Sequence, residues 1–381
     1  MIGPTRPSKR ICVFSDGTWN TPELDTLTNI AILARALQYK SADGIPQIAF
    51  YDPGVGSEGG VVDRLRGGAF GAGIDLNIQQ LYTFLAMNYD EGDEIYMFGY
   101  SRGAYTVRSL AGMVHEAGLV YRDKLDFVQD AYNLYRTNHD PESVEAKNFR
   151  AANSRRVPVK LLTCFDTVGA LGIPDGLPFP LSLLEDNNRY RFHDTQLSDL
   201  IENAIHALSI DEDRRAFYPT FMKAHSARGP KQLTQKFLPG SHGGVGGGSE
   251  ILKPFSQNAL KFVLDDIRTR GLGIEFDAEQ LPKSFDYNTP VLPPRGLFNR
   301  HNFIKAVTGS QIREIRAVEE LHATAVIRYH RTPKWRPEAL KPLKDKILEF
   351  AAKLKDIIED GAAETIEHVH NIANTLNGAL S

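Results

Sequence analysis

Five short apolar runs in this chain each stop at a turn containing Gly or Asp: "ICVFSDG" (11–17), "IAFYDPG" (48–54), "IYMFGYS" (95–101), "VKLLTCFD" (159–166) and "QKFLPGSH" (235–242). Stretches with helical spacing, such as "TNIAILARALQ" and "LNIQQLYTFLAMNY", separate several of them. Near-continuous apolar strands alternating with helices predict an α/β fold: a mostly parallel central sheet, buried on both faces and flanked by helices. In such sheets ligands meet the C-terminal ends of the strands. Asp16, Asp52, Ser101, Asp166 and His242 all fall at strand ends, so the chemically capable side chains are gathered on one edge.

The 381 residues suffice for one large α/β domain or two ordinary ones, and 42% hydrophobic with 24% charged residues is the composition of a globular protein. A net charge of −3 supplies no field that would recruit nucleic acid or an anionic membrane. Cys12 and Cys164 both lie in apolar runs and read as small buried hydrophobes, not as a disulfide or a metal site. The start, "MIGPTRPSKR", is basic, but the five mostly apolar residues that follow are too few for a signal-peptide core. A cytoplasmic location is expected on that ground, with leaderless export left open.

"GYSRG" fits the G-x-S-x-G nucleophile elbow, with Gly99, Ser101 and Gly103. Such a serine needs a strained backbone that lifts its hydroxyl above the sheet edge, and small neighbours that let strand and helix approach. A helix is predicted after it, with Ala104, Val107, Ala111 and Val114 on one face and Gly118 as C-cap. Backbone N–H groups of Arg102, and of Gly17 or Thr18 after the first strand, are the candidate oxyanion donors. A serine also needs a base and a carboxylate to orient it. Of eleven histidines, His242 ends an apolar strand and enters the loop "GGVGGG", whereas His115, His206 and His225 sit in helical or polar surroundings that suit structural or solvated roles. Asp166 ends the run after the nucleophile strand, and the order Ser101, Asp166, His242 is that of α/β-hydrolases. Asp211, in "SIDEDRR", is the alternative acid, with a helix N-cap as its structural reading.

Elsewhere the pattern is less informative. "GVGSEGG" (54–60) contains a loose G-x-G-x-x-G, weak as a nucleotide cradle, and is taken as a loop beside the site. Residues 167–204 suggest a Pro-rich excursion, "GIPDGLPFPL", and then a helix over "LSDLIENAIHAL", placed where a substrate-lining insert would fit. A further helix is predicted around "NALKFVLDDIRT". Over 338–379, Leu340, Leu343, Ile347, Phe350, Leu354, Ile357, Ile366, Val369 and Ile372 fall at three-and-four spacing, an amphipathic helical extension with a break near Gly361. Its polar face mixes Lys344, Lys346 and Lys353 with Asp345, Glu349, Asp356 and Glu359. Packing on the body or self-association is therefore expected ahead of peripheral membrane contact.

Six ordered blocks, "FSDGTWN", "YDPGVGSEGG", "GDEIYMFGYSRGAYTVRSLAG", "CFDTVGALG", "HALSIDEDRRAF" and "FLPGSHGGVGGG", resemble the α/β-hydrolase catalytic domain of type VI secretion lipase effectors, a domain also found in uncharacterised bacterial and fungal proteins. The resemblance spans roughly 9–335 and implies a Ser-Asp-His esterase acting on lipids, with phospholipase activity in the secreted effectors. It implies Ser101 as nucleophile, Asp166 as the aspartate of an Asp-Thr-Val block, and His242 as the histidine of a His-x-Asp-Val-Gly-Gly block. Gly244 departs from that block, standing where the family usually has Asp. No cofactor is implied.

Two other readings remain at this point. Asp16, Asp52, Asp166 and His242 could together hold a divalent metal for phosphoester hydrolysis. Alternatively, the hydrolase-like body could be a scaffold that works through its C-terminal helices. Arg214 and Arg215 are candidates to meet a substrate phosphate, with a solvated basic pair as the commoner outcome.

Overall fold

The computed structural model describes residues 8–17, 26–54, 69–137, 140–169, 196–224, 232–283, 305 and 309–353. Six strands form the central sheet: β1 (Arg10–Ser15), β2 (Gln47–Asp52), β3 (Glu94–Tyr100), β4 (Leu161–Phe165), β5 (Asn203–Ser209) and β6 (Gln232–Leu238). Their order is β6-β5-β4-β3-β1-β2, and every pairing is parallel. The helices are α1 (Asn29–Ala36), α2 (Ala69–Asn88), α3 (Arg102–Ala117), α4 (Val128–Arg136), α5 (Val144–Asn153), α6 (His242–Gly246), α7 (Lys253–Thr269), α8 (Ala323–Arg331) and α9 (Lys344–Lys353).

Side chains alternate across the sheet with the two-residue period of a strand. Ile11, Val13, Ile95, Met97, Leu162 and Cys164 face one core, which they share with Ile78 and Leu81 of α2 and Val107 and Leu110 of α3. Cys12, Phe14, Tyr96, Phe98, Leu161 and Phe165 face a second core, shared with Ile30 and Leu33 of α1 and Leu260 and Val263 of α7. Both cysteines are free and buried. Burial on both faces is why these strands have little polar alternation.

One element differs from the sequence expectation. "LSDLIENAIHAL" is not a helix; Asn203–Ser209 is strand β5, between β4 and β6. Leu197, Leu200, Ile201, Ala204, Ile205 and Leu208 satisfy helical spacing, but a strand buried on both faces also reads as an unbroken apolar run. The two open strand edges beside it decide the outcome, since β5 satisfies the ladders of both neighbours. The other helices expected around α1, α2, α3 and α7 are present, and Gly118 caps α3 at φ 73°. "GIPDGLPFPL" and most of "GVGSEGG" lie outside the described residues.

A third core lies off the sheet end. Leu208, Ile210 and Phe237 pack with Val326 and Tyr329 of α8, Trp335, Leu340 and Leu343, and Ile347 and Ala351 of α9. The described start of the C-terminal extension thus buries its apolar stripe; from 354 onward it lies outside the described residues. Among the described residues, no helix is long and apolar enough to cross a membrane.

Candidate active site

β3 ends at Tyr100 and α3 begins at Arg102, so Ser101 must turn the chain by itself. It does so at φ 58°, ψ −119°, a conformation costly for a residue with a side chain. Among the described residues, two non-glycine residues have positive φ, Ser101 and Asp166 at φ 42°. Close packing holds the elbow. A Cβ on Gly99 would lie 2.5 Å from the Gly103 carbonyl oxygen, and one on Gly103 only 2.0 Å from that of Ser15. The two glycines of G-x-S-x-G are therefore required by contact. The Ser101 N–H donates to the Phe165 carbonyl at 3.0 Å, tying the elbow to the end of β4.

That tie brings Asp166 alongside. His242 arrives from the turn after β6, as the first residue of α6. Its Nε2 lies 2.8 Å from Ser101 Oγ and its Nδ1 lies 2.7 Å from Asp166 Oδ2. The imidazole stands between the Tyr100 and Phe217 rings, with centroids 4.9 and 4.7 Å away. All three side chains are buried, at 6%, 0% and 5% exposure for Ser101, Asp166 and His242, so the chain of hydrogen bonds sits where water competes little. With Nδ1–H donated to the carboxylate, Nε2 is free to accept the serine proton.

Asp166 is well satisfied. Its Oδ1 accepts the Ser209 N–H and its Oδ2 the Ser209 hydroxyl, each at 3.0 Å. The Arg313 guanidinium donates to Oδ2 at 3.0 Å, and both side chains of this pair are fully buried. Burial pushes the Asp166 carboxyl up, but Arg313, His242 and the Ser209 N–H outweigh it and hold the group below the usual carboxylate range. Sequence reasoning did not find Arg313 or Ser209. Ser209, at the C-terminal end of β5, was hidden by the helix expected there.

Asp211, the alternative acid, belongs elsewhere. It accepts the Gly240 N–H at 2.7 Å and the Trp335 indole N–H at 2.9 Å, fastening the turn that carries His242 to the third core. Its neighbour Glu212 accepts the His242 backbone N–H at 3.1 Å and also grips Arg214. A carboxylate thus serves the N-terminus of the histidine turn although position 244 is Gly. Arg214 is committed to Glu212 and stacks over Phe217, 3.9 Å from the ring centroid, while Arg215 is exposed.

Asp16 accepts the Gly17 N–H at 2.6 Å, the Thr28 hydroxyl at 2.5 Å and the Tyr51 hydroxyl at 2.8 Å. Burial outweighs these bonds and pushes its carboxyl up to about 7. The Gly17 N–H, expected as an oxyanion donor, is therefore engaged within its own turn; Thr18 lies outside the described residues. Arg102 opens α3 beside Ser101, where a helix N-terminal N–H suits a developing oxyanion. Asp52 is held by Ser15, Gly54 and Asn77. Among the described residues, no group of three His, Cys, Asp or Glu side chains is arranged to hold a metal ion, so the proposed four-residue metal set is not assembled. His206, placed in strand β5 rather than in helical surroundings, bonds Thr167 and Gln235 through its two ring nitrogens, and burial pushes it down to about 3.

The family model described as "T6SS, Phospholipase effector Tle1-like, catalytic domain" matches residues 9–266. The chain belongs to this family. Among curated relatives of this Tle1-like chain, an uncharacterized protein of Saccharomyces cerevisiae is 32% identical over 232 residues, covering 55% of the chain and 32% of the yeast protein. The chain thus spans about a third of that relative's length. Among solved structures, an uncharacterized protein from Pseudomonas aeruginosa has 15% identity and a TM-score of 0.44, over 72% of this chain and 48% of that one. The Tle1 effector bound to the VgrG spike of the type 6 secretion system has 18% identity and a TM-score of 0.34, covering 65% and 53%. Esterase 2 of Thermogutta terrifontis has 15% identity and a TM-score of 0.36, covering 71% and 87%.

Proposed function

We propose that this Tle1-like chain is a serine hydrolase that cleaves carboxylic esters, with lipid or phospholipid as the substrate class. The observation that carries the reading is the buried series Ser101 Oγ, His242 Nε2, His242 Nδ1 and Asp166 Oδ2, anchored on a serine at φ 58°. Ser101 Oγ attacks the acyl carbon while His242 Nε2 takes its proton. The resulting oxyanion is met by the Arg102 N–H. His242 then gives the proton to the leaving alcohol oxygen as the acyl–oxygen bond breaks, leaving an ester on Ser101. Water repeats the sequence: His242 takes a water proton, hydroxide attacks the acyl-enzyme, and Ser101 recovers its hydrogen as the carboxylic acid departs. Asp166 holds the ring and offsets its transient charge. Membership of a phospholipase effector family supports the lipid class.

The test is a panel of acyl esters of graded length and of phospholipids, run on wild type and Ser101→Ala, with fluorophosphonate labelling in parallel. Ester turnover is expected to fall by about six orders of magnitude in Ser101→Ala, and the label to be lost. Turnover that survives Ser101→Ala sinks the reading.

A further inference from the structure

Arg313 lies beyond the family-matched segment, in a strap with no regular secondary structure (311–317), yet it reaches the centre of the site. The strap is fastened to the loop after β5: the Gln311 N–H donates to the Asp213 carbonyl at 2.9 Å, and the Arg215 N–H donates to the Gly309 carbonyl at 3.0 Å. Arg313 Nη2 then donates to Asp166 Oδ2 and Ser209 Oγ, both at 3.0 Å, while Nε donates to the Glu212 carbonyl at 3.3 Å. The oxygen it uses is the one that His242 Nδ1 uses, at 2.7 Å. In the state with a protonated imidazole, two cations would share a single carboxylate oxygen.

We propose that Arg313 is a positioning residue that sets the proton balance of the Asp166–His242 pair. It keeps Asp166 ionised and opposes a second positive charge beside it, so the pair keeps an imidazole able to accept a proton down to lower pH. The proposal rests on the serine-hydrolase reading. Among the described residues, the other titratable or charged groups near the pair include Tyr100, His206, Glu212 and Arg214, with Asp16 acting on Tyr100. Glu212 and Arg214 are paired with each other, at 2.6 Å, and so largely cancel. His206 is kept neutral by burial. Arg313 has Asp166 as its carboxylate partner, which makes it the cation whose removal the pair would register most strongly.

The experiment compares the pH profile of kcat/KM for a soluble p-nitrophenyl ester in wild type, Arg313→Gln and Arg313→Lys, with thermal unfolding as a folding check. In Arg313→Gln the acid limb is expected to move up by about one pH unit, the size of effect a lost neighbouring unit charge produces. Arg313→Lys restores the charge and should return the limb to within about half of that shift. Arg313→Met, similar in bulk and without charge, replaces Arg313→Gln if that variant does not fold, and the same limb shift is expected. Lower plateau activity with an unmoved limb makes Arg313 a purely structural residue and overturns the proposal, as does failure of both neutral variants to fold. Failure of the hydrolase reading shows itself differently: wild type would then have no Ser101-dependent turnover at any pH.

Discussion

At the scale of single residues, the site is organised by where charge is buried and what meets it. Asp166 and Asp16 are both buried carboxyls at strand ends, yet their ionisation is pushed in opposite directions. Asp166 has a guanidinium and an imidazole on one oxygen; Asp16 has two hydroxyls and one backbone N–H and, among the described residues, no paired cation. A carboxyl raised to about 7 in the fold and ionising near 4 when unfolded makes the folded state the tighter proton binder between those values. Its contribution is therefore complete below about pH 4 and lost as pH rises through about 7. Asp16→Asn keeps the shape without the ionisation, and the two hydroxyls can turn to face its amide. Unfolding free energies of wild type and Asp16→Asn from chemical denaturation, followed from acid to mildly alkaline pH, should diverge in favour of the variant by roughly 2–4 kcal/mol at the alkaline end. Parallel curves would mean that Asp16 ionises at the same pH folded and unfolded, so that burial does not govern it. The residues most legible in the sequence were those that end an apolar run, Ser101, Asp166 and His242. Arg313 was not legible, because it lies 147 positions from Asp166 in a mixed polar stretch, "SQIREIRAVEE", whose composition is that of any surface loop.

At the scale of elements, the geometry around Ser101 is a consequence of how closely α3 lies on β1. The Gly103 backbone touches the Ser15 and Asp16 carbonyls, so one helix turn presses on the turn that bears Gly17. A side chain there has nowhere to go: the obstructing atoms are backbone, in strands locked by ladders on both sides. Gly103→Ala should therefore destabilise the fold by about 1–3 kcal/mol through overpacking, and should lower turnover further by shifting Ser101 against His242. Chemical denaturation and kcat/KM measured on the same preparation separate the two effects. Full activity at wild-type stability would show that the α3–β1 contact can relax and is not what holds the elbow. Element type followed the same logic of context over local pattern. Beside the sheet, α1, α2 and α7 could be read from their spacing because each leaves part of its surface to solvent. Helix α3, buried at every position but the half-buried Gly112 and His115, was marked by the G-x-S-x-G turn before it as well as by its apolar stripe. β5 could not, because it has none, and "NAIHALS" suits either period until its neighbours are known.

At the scale of the whole molecule, residues that contact the Ser101 site and its supports lie beyond the family-matched segment. The match ends at residue 266, but the guanidinium paired with Asp166 sits at 313 and the indole that fastens Asp211 sits at 335. Leu340, Leu343 and Ile347 complete a core that begins with Leu208 of β5 and Phe237 of β6, the strand that leads to the His242 turn. The geometry therefore makes the post-266 region a wall of the site, in contact with it at Asp166, at Asp211 and under β5 and β6. Three measurements follow. Leu340→Ala, at a fully buried position, should cost about 2–5 kcal/mol, far more than truncation of a side chain on a loosely attached tail. A chain cut after residue 266 loses all three contacts together, so it should bind a hydrophobic dye, unfold without a cooperative transition and show no Ser101-dependent turnover. The same cut made after 353 leaves every described contact intact and should retain stability and activity if the remaining residues play no part in either. Cooperative folding and full turnover in the shorter chain would locate the whole machinery within the matched segment and make the strap, Trp335 and α9 dispensable.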